Sequence, residues 1–353
     1  MKSIINIKQL SLFVILLYFT SYLTNCKKDI GLKPNIIQND SIQNNGAINY
    51  SFTCEDTAHI WKKFTIDQFS NPIFHTGKLS VWRVFYDLND VNIIYYLTEE
   101  IGIQKYTLWK YNLVSKVKTH LADNLLGNIE INKNGWLVYD SFTDLNLYRI
   151  KSNGDSLKQL TFDGSSKFPR WTSDGKHIWF VNDGPTLGGI FKMDFNGNRL
   201  DTLFNASSWV VENNNFIYFT KSSNPNNVLN VQLFQKNLTT KSEKIILTLV
   251  DGDGSGKDLY DFFPDQNNQN LYWWGAHGLS KTNLSSLETK LIINGAANSL
   301  NRYLHYRQNP ISKNFIFIQF YINPISPQII EYYQKVKELN ENGTCIRTIN
   351  LVD

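Results

Sequence analysis

A short aromatic and aliphatic run returns six times along this chain: "IIYY" at 93–96, "WLVY" at 136–139, "HIWF" at 177–180, "FIYF" at 216–219, "NLYW" at 270–273 and "FIFI" at 315–318. The starts are 43, 41, 39, 54 and 45 residues apart. A period of that length means that one supersecondary unit is stacked against copies of itself. Each run is followed by another, "TLWKYNL", "NLYRIKS", "GIFKMDF", "NVQLFQKNL", "GLSKTNL" and "IIEYYQKVKEL", and most units close with a shorter alternating stretch such as "LKQLTF" or "EKIILTLV". A further short strand precedes each copy: "SVWRVFYD", "NIEI", "PRWT", "WVVE", "YDFF" and "YLHYR".

Four strands per unit, repeated every 40 to 45 residues, predict an all-β fold: a six-bladed β-propeller of four-stranded antiparallel blades. The blades are expected at roughly 79–122, 123–163, 164–206, 207–250, 259–298 and 299–353. Runs such as "IIYY" and "FIYF" do not alternate with polar residues, as suits a sheet covered on both faces. Ring closure must pair or cover the edges of the first and last blades. The segment 49–76, with strand-like "NYSFTC" and "IWKKFTI", is expected to lie against the last blade; a seventh, incomplete blade is the alternative.

The third unit carries the most specific motif. In "FPRWTSDGKHIWFV" (168–181) an Asp-Gly pair sits between strand formers, the signal of a tight hairpin whose glycine accepts positive φ. The longer stretch "LKQLTFDGSSKFPRWTSDGKHIWFVNDGPTLGGIFKMDFNGNRL" (157–200) resembles the propeller repeat of TolB and its relatives. That resemblance implies six blades and envelope-maintenance partners such as a peptidoglycan-associated lipoprotein. The motif fades elsewhere, with "NKNG", "ENNN" and "DQNNQN" replacing the Asp-Gly turn in units two, four and five. Residues 27–76 are too few to build the α/β domain that accompanies the propeller in TolB.

Composition narrows the function classes. Of 353 residues, 14% are aromatic and 19% charged, so the chain can bury a large core. Formal net charge is +4, but the basic residues are scattered and form no stripe for phosphates, which argues against nucleic acid. Lys2 and Lys8 precede an apolar run from Leu10 to Leu23, too short to span a bilayer and followed by polar sequence. Residues 1–25 are therefore expected to be a signal peptide. The junction "LTNC" resembles a bacterial lipobox, which makes Cys26 the acylated residue and 26–48 a flexible tether. Cys54 and Cys345 then remain as a possible disulfide across the whole domain, with two separate thiols as the alternative.

In a meander the connections after strands two and four share one rim. "TEEIGIQK" (98–105), "NDGPTLGG" (182–189), "KSSNPNNV" (221–228), "DGDGSGKD" (251–258) and "YINPISPQ" (321–328) all fall there, longer and richer in Gly and Pro than the connections opposite. This rim is the candidate binding face, represented by Asp183, Pro185, Asn224, Asp251, Asp253, His277 and Pro324.

Catalytic motifs are not found. "DGDGSGKD" lacks the P-loop spacing. As a calcium loop it offers Asp251, Asp253 and Ser255 at alternate positions with Gly256, but Leu259 and Phe262 stand where the second half needs oxygen ligands. No metal or cofactor is therefore assigned. The expected function is a noncatalytic, exported lipoprotein of the outer membrane, facing periplasm or cell surface. Its propeller, as a monomer anchored by lipid alone, binds another envelope protein. The alternative is a glycan-binding or glycan-processing propeller with its site at the mouth of the central channel.

Overall fold

The computed structural model describes residues 79–351 apart from 101–104, 185–188, 204–209, 225–226, 251–258, 276–277, 295–300, 327–328, 342 and 350. The expected signal peptide, Cys26 with its tether, Cys54, the segment 49–76, Pro185, Asp251, Asp253, Ser255 and His277 lie outside the described residues.

Strands run in chain order through antiparallel meanders. The first unit holds β1 (Leu79–Tyr86), β2 (Ile93–Glu100), β3 (Tyr106–Asn112) and the start of β4 (Lys118–Ile131). The rest of β4 joins β5 (Trp136–Ser141), β6 (Leu147–Lys151) and β7 (Lys158–Gln159). Next come β8 (Ser166–Trp171), β9 (His177–Asn182), β10 (Gly189–Asp194) and β11 (Arg199–Leu203), then β12 (Val210–Asn213), β13 (Phe216–Asn224), β14 (Asn227–Asn237) and β15 (Glu243–Val250). The last two sheets are β16 (Asp261–Pro264), β17 (Asn270–Gly275), β18 (Gly278–Asn283) and β19 (Thr289–Asn294), and β20 (Asn301–Gln308), β21 (Phe315–Ser326), β22 (Ile329–Leu339) and β23 (Ile346–Ile349). Four sheets have four strands, and β1 to β7 form one of seven.

One strand, β4, runs across the expected boundary between 122 and 123: it pairs with β3 through Lys118–Leu125 and with β5 through Leu125–Ile131. Asn124 (φ 65) and Gly127 (φ 114) bend it between the two partners. A Cβ on Gly127 would lie 3.1 Å from the Tyr106 ring and 3.3 Å from the Trp82 indole nitrogen, so side-chain room as well as φ calls for glycine.

The second strand of each unit shows why these sheets stack. Tyr95 and Leu97 of β2 enter one apolar cluster, shared with Leu137 and Tyr139 of β5, while Ile94 and Tyr96 enter another with Ile316 and Ile318 of β21. The pattern continues around the molecule. β5 and β9 share a cluster through Val138, Ile178 and Phe180; β9 and β13 share one through Trp179, Val181, Ile217 and Phe219. Tyr218 of β13 meets Leu271 and Trp273 of β17, and Tyr272 and Trp274 meet Phe315 and Phe317 of β21. Period-two side chains thus feed opposite faces, and the last sheet returns to the first. Tyr86 Oη also donates to the fully buried Glu338 at 2.7 Å across that junction. The protein is a β-propeller.

The Asn-rich turns at which the TolB-like motif fades serve a different purpose. They lie on the rim of the first-to-second-strand connections and bond from one sheet to the next. Asn89 Nδ2 donates to Lys133 O at 2.9 Å and Asn132 Nδ2 to Gly175 O at 2.9 Å. Asn214 N donates to Ser173 Oγ at 2.8 Å, Asn213 Nδ2 to Asp265 O at 2.7 Å and Lys313 Nζ to Gln266 Oε1 at 3.1 Å.

Gly197 tests the packing between neighbouring sheets. Its φ is +98, and a Cβ would sit 2.6 Å from the carbonyl oxygen of Leu160 in the preceding unit; Gly154 (φ +93) has nothing nearer than a Leu121 methyl at 3.7 Å. Gly154→Ala should cost about 1 kcal/mol from the backbone alone and Gly197→Ala roughly 2–4 kcal/mol, read from urea unfolding midpoints. Equal losses would mean that this contact does not constrain the stack.

Candidate functional site at the propeller axis

First strands touch first strands around the ring, β1 against β20, β4 against β8, β8 against β12 and β12 against β16, which places them at the axis. Their sequences are short and apolar, yet charged side chains interrupt them. β-Bulges aim several of these side chains: register shifts fall between Val81 and Arg83, between Lys167 and Arg170 and between Leu304 and Arg307. Phe168 (φ 55) and His305 (φ 59) take the left-handed conformation, each two residues before an arginine.

Asp261 of β16 is the centre of the group, with its side chain 2% exposed. Its Oδ1 accepts from Arg170 Nη2 of β8 at 2.7 Å and its Oδ2 from Arg307 Nη2 of β20 at 2.6 Å. One carboxylate therefore holds guanidiniums from two other sheets, one of them separated from it by the β12 sheet. Burial alone would raise the Asp261 pKa. The charges of Arg170, Arg307 and Arg83 outweigh it and hold the group well below the usual carboxylate range. Burial likewise opposes the charge on Arg170, but Asp261 and then Glu130 carry its pKa above the ordinary arginine value.

Around this pair lie further acceptors. Glu130 of β4 accepts from Arg170 Nη1 and, at 3.2 Å, from the Trp171 backbone N–H. Asp140 of β5 is fully buried and accepts from Asn128 N at 3.0 Å, Asn128 Nδ2 at 2.7 Å and Phe168 N at 3.2 Å. Burial nevertheless pushes the Asp140 pKa up. His305 packs between Trp82 and Trp274, with ring centroids 5.4 Å away on each side. Burial first, then Arg83 and Arg307, hold its pKa well below 6.5, so the imidazole is neutral at pH 7.

The sequence-derived candidates among the described residues lie elsewhere. Asp183 is on the rim of the second-to-third-strand connections, its side chain 53% exposed and paired with Lys167. Asn224 and Pro324 are not loop residues as expected. Asn224 ends β13, paired with Asn227 of β14, and Pro324 lies in β21, paired with Ile330 of β22. "VLNVQLF" and "IIEYYQKV" provide partner strands that extend these hairpins, and Pro324 is tolerated beside a register shift. Of the histidines, His120 and His177 lie beside Asp123 and Asp174 at 3.1 Å and 3.3 Å, away from the axis. No cluster of three or more His, Cys, Asp or Glu suited to a metal occurs among the described residues. The axial group escaped the sequence reading, although each first-strand run quoted above carries a charge amid apolar residues, the signal that would have found it.

Fold and site together define a β-propeller whose first strands are tied by buried ion pairs. No protein-family model and no curated protein matches the chain. Among solved structures, one assigned to TolB of Agrobacterium tumefaciens is similar with a TM-score of 0.52 at 10% identity, over 69% of this chain and 88% of that one. Hydrazine synthase of Kuenenia stuttgartiensis is similar with a TM-score of 0.50 at 8% identity, over 79% and 98%. At these identities the likeness is one of fold.

Removing the central carboxylate strands two buried cations. Asp261→Asn should destabilise the domain by about 3–5 kcal/mol in urea unfolding at pH 7. A group with a depressed folded pKa stabilises fully above its unfolded value, near 3.9, and ever less as pH falls toward the folded one. The wild type should therefore lose stability more steeply than Asp261→Asn below about pH 4. Parallel pH profiles would show that the ion pairs contribute nothing.

Proposed function

We propose that this chain is a noncatalytic cell-envelope lipoprotein whose six-bladed propeller is a scaffold for binding another envelope protein. The carrying observation is how the polar groups divide between the two ends and the axis. At the axis Asp261, Glu130 and Asp140 are engaged by groups of neighbouring sheets, and the Asn-rich rim is stapled sheet to sheet. The opposite rim carries the hairpin ends of β13–β14 and β21–β22 and the exposed Asp183. Residues on such a rim are available for recognition.

Export and anchoring rest on the leader 1–25 and on lipid at Cys26, which would place the domain at the outer membrane. Fold likeness to a TolB structure and the motif at 157–200 favour an envelope setting. Cys345 is disulfide-bonded, and its partner is outside the described residues. With Cys26 assigned to lipid, Cys54 is the partner we propose, joining the region before β1 to the last sheet.

A photo-crosslinking residue at position 183 should capture an envelope protein in intact cells, and one at Asn267, exposed on the stapled rim, should not. Replacing 223–228 by a two-residue turn should abolish the capture and leave the melting temperature unchanged. Equal labelling from both rims, or capture that survives the hairpin replacement, would refute the scaffold reading.

A further inference from the structure

Arg83 is the unexplained member of the axial group. It lies on β1, 5% exposed, and its guanidinium donates no hydrogen bond to any described residue; Nε is buried without a partner. Arginine has only donors to offer, and a buried cation without a paired anion is among the costliest groups a fold can carry. The nearby carboxylates are already engaged. Asp261 binds Arg170 and Arg307, Glu130 binds Arg170, and Asp140 takes three donors, none of them an arginine. Burial and the like charges of Arg307 and Arg170 push the Arg83 pKa down to about 10, against the pull of Asp261 and Asp140. Even so it is charged at pH 7.

Two more orphaned nitrogens belong to the same neighbourhood. Trp274 Nε1 and His305 Nδ1 are buried and unpartnered, and the two rings are in contact at 5.4 Å. Trp274 stands opposite Asp261 in the β16–β17 register. An indole N–H can only donate, and a neutral imidazole can carry its proton on Nδ1. Unused donors on three side chains thus meet where the first strands converge.

We propose that the propeller axis is an anion-binding site, in which Arg83, supported by Trp274 and His305, takes a carboxylate or phosphate group. The Nε edge of a guanidinium offers two parallel N–H donors that match two oxygens of such a group. Binding would supply the missing acceptor between β1, β17 and β20, so ligand occupancy is coupled to the stability of the ring. The site stands apart from the rim and does not depend on what the rim binds.

Thermal unfolding of the full chain in millimolar sodium phosphate or sodium acetate, at ionic strength matched with sodium chloride, tests this. A ligand that binds only the folded state raises the melting temperature in a saturable manner; general salt exclusion acts at far higher concentration and without saturation. We expect a saturable rise with at least one of the two anions, and the one that acts identifies the group. In Arg83→Gln the half-saturating concentration should increase roughly tenfold or more, while without either anion the variant should melt no lower than the wild type, since it lacks the buried Nε donor that has no acceptor. A destabilised variant with an unchanged anion response would overturn the proposal. Should Arg83→Gln not fold, Arg83→Lys, which keeps the charge and loses the two-donor edge, must still show weaker binding, as must the broadening of the phosphorus resonance of inorganic phosphate. A wild type with no saturable response to either anion refutes the site regardless of the variants.

Discussion

Each sheet of this protein is apolar on both faces, and that constraint governs everything else. A strand such as β9 sends Ile178 and Phe180 to one cluster and Trp179 and Val181 to another, and neither set can remain in water. Burying an aliphatic or aromatic side chain is worth about 1.5–3 kcal/mol, so a single such sheet would be insoluble and two would leave two greasy faces. A ring removes the outer faces by making the last sheet cover the first, which Ile316 and Ile318 do against Ile94 and Tyr96.

A ring built that way has an axis, and here charged side chains of the first strands meet at it. Asp261 joins Arg307 of the adjacent sheet and Arg170 of one with which its own sheet shares no apolar cluster. β-Bulges before Arg83, Arg170 and Arg307 supply the bend that directs long side chains inward. Buried ion pairs of this type are weak contributors to net stability but severe to break, which fits a role in fixing how the sheets are arranged. Arg83 is the exception in this group, because its buried Nε has no acceptor.

Much of the fold was legible because its determinants are local. Period-two apolar runs, Asp-Gly and Asn-rich turns, and a spacing near 40 residues are properties of short segments, and they located the strands of each unit. The rim hairpins were less legible. "KSSNPNNV" and "YINPISPQ" look like loops by composition, yet β13 and β21 continue through Asn224 and Ser326 because β14 and β22 offer them a paired edge. The motif fades at the "NKNG", "ENNN" and "DQNNQN" turns, and bonds such as Asn132 to Gly175 and Asn213 to Asp265 show that these turns link one sheet to the next.

By itself, then, the sequence determined that this chain is an all-β array of repeating meanders, since hydrophobic period and turn chemistry act within a few residues. Only the tertiary structure decided that Arg83, Glu130, Asp140, Arg170, Asp261, His305 and Arg307, spread over more than 200 residues, share one buried place. The reason is geometric. Which charges meet at an axis depends on the bulge and tilt of each first strand and on the closure of the whole ring, and no segment of the chain encodes closure alone.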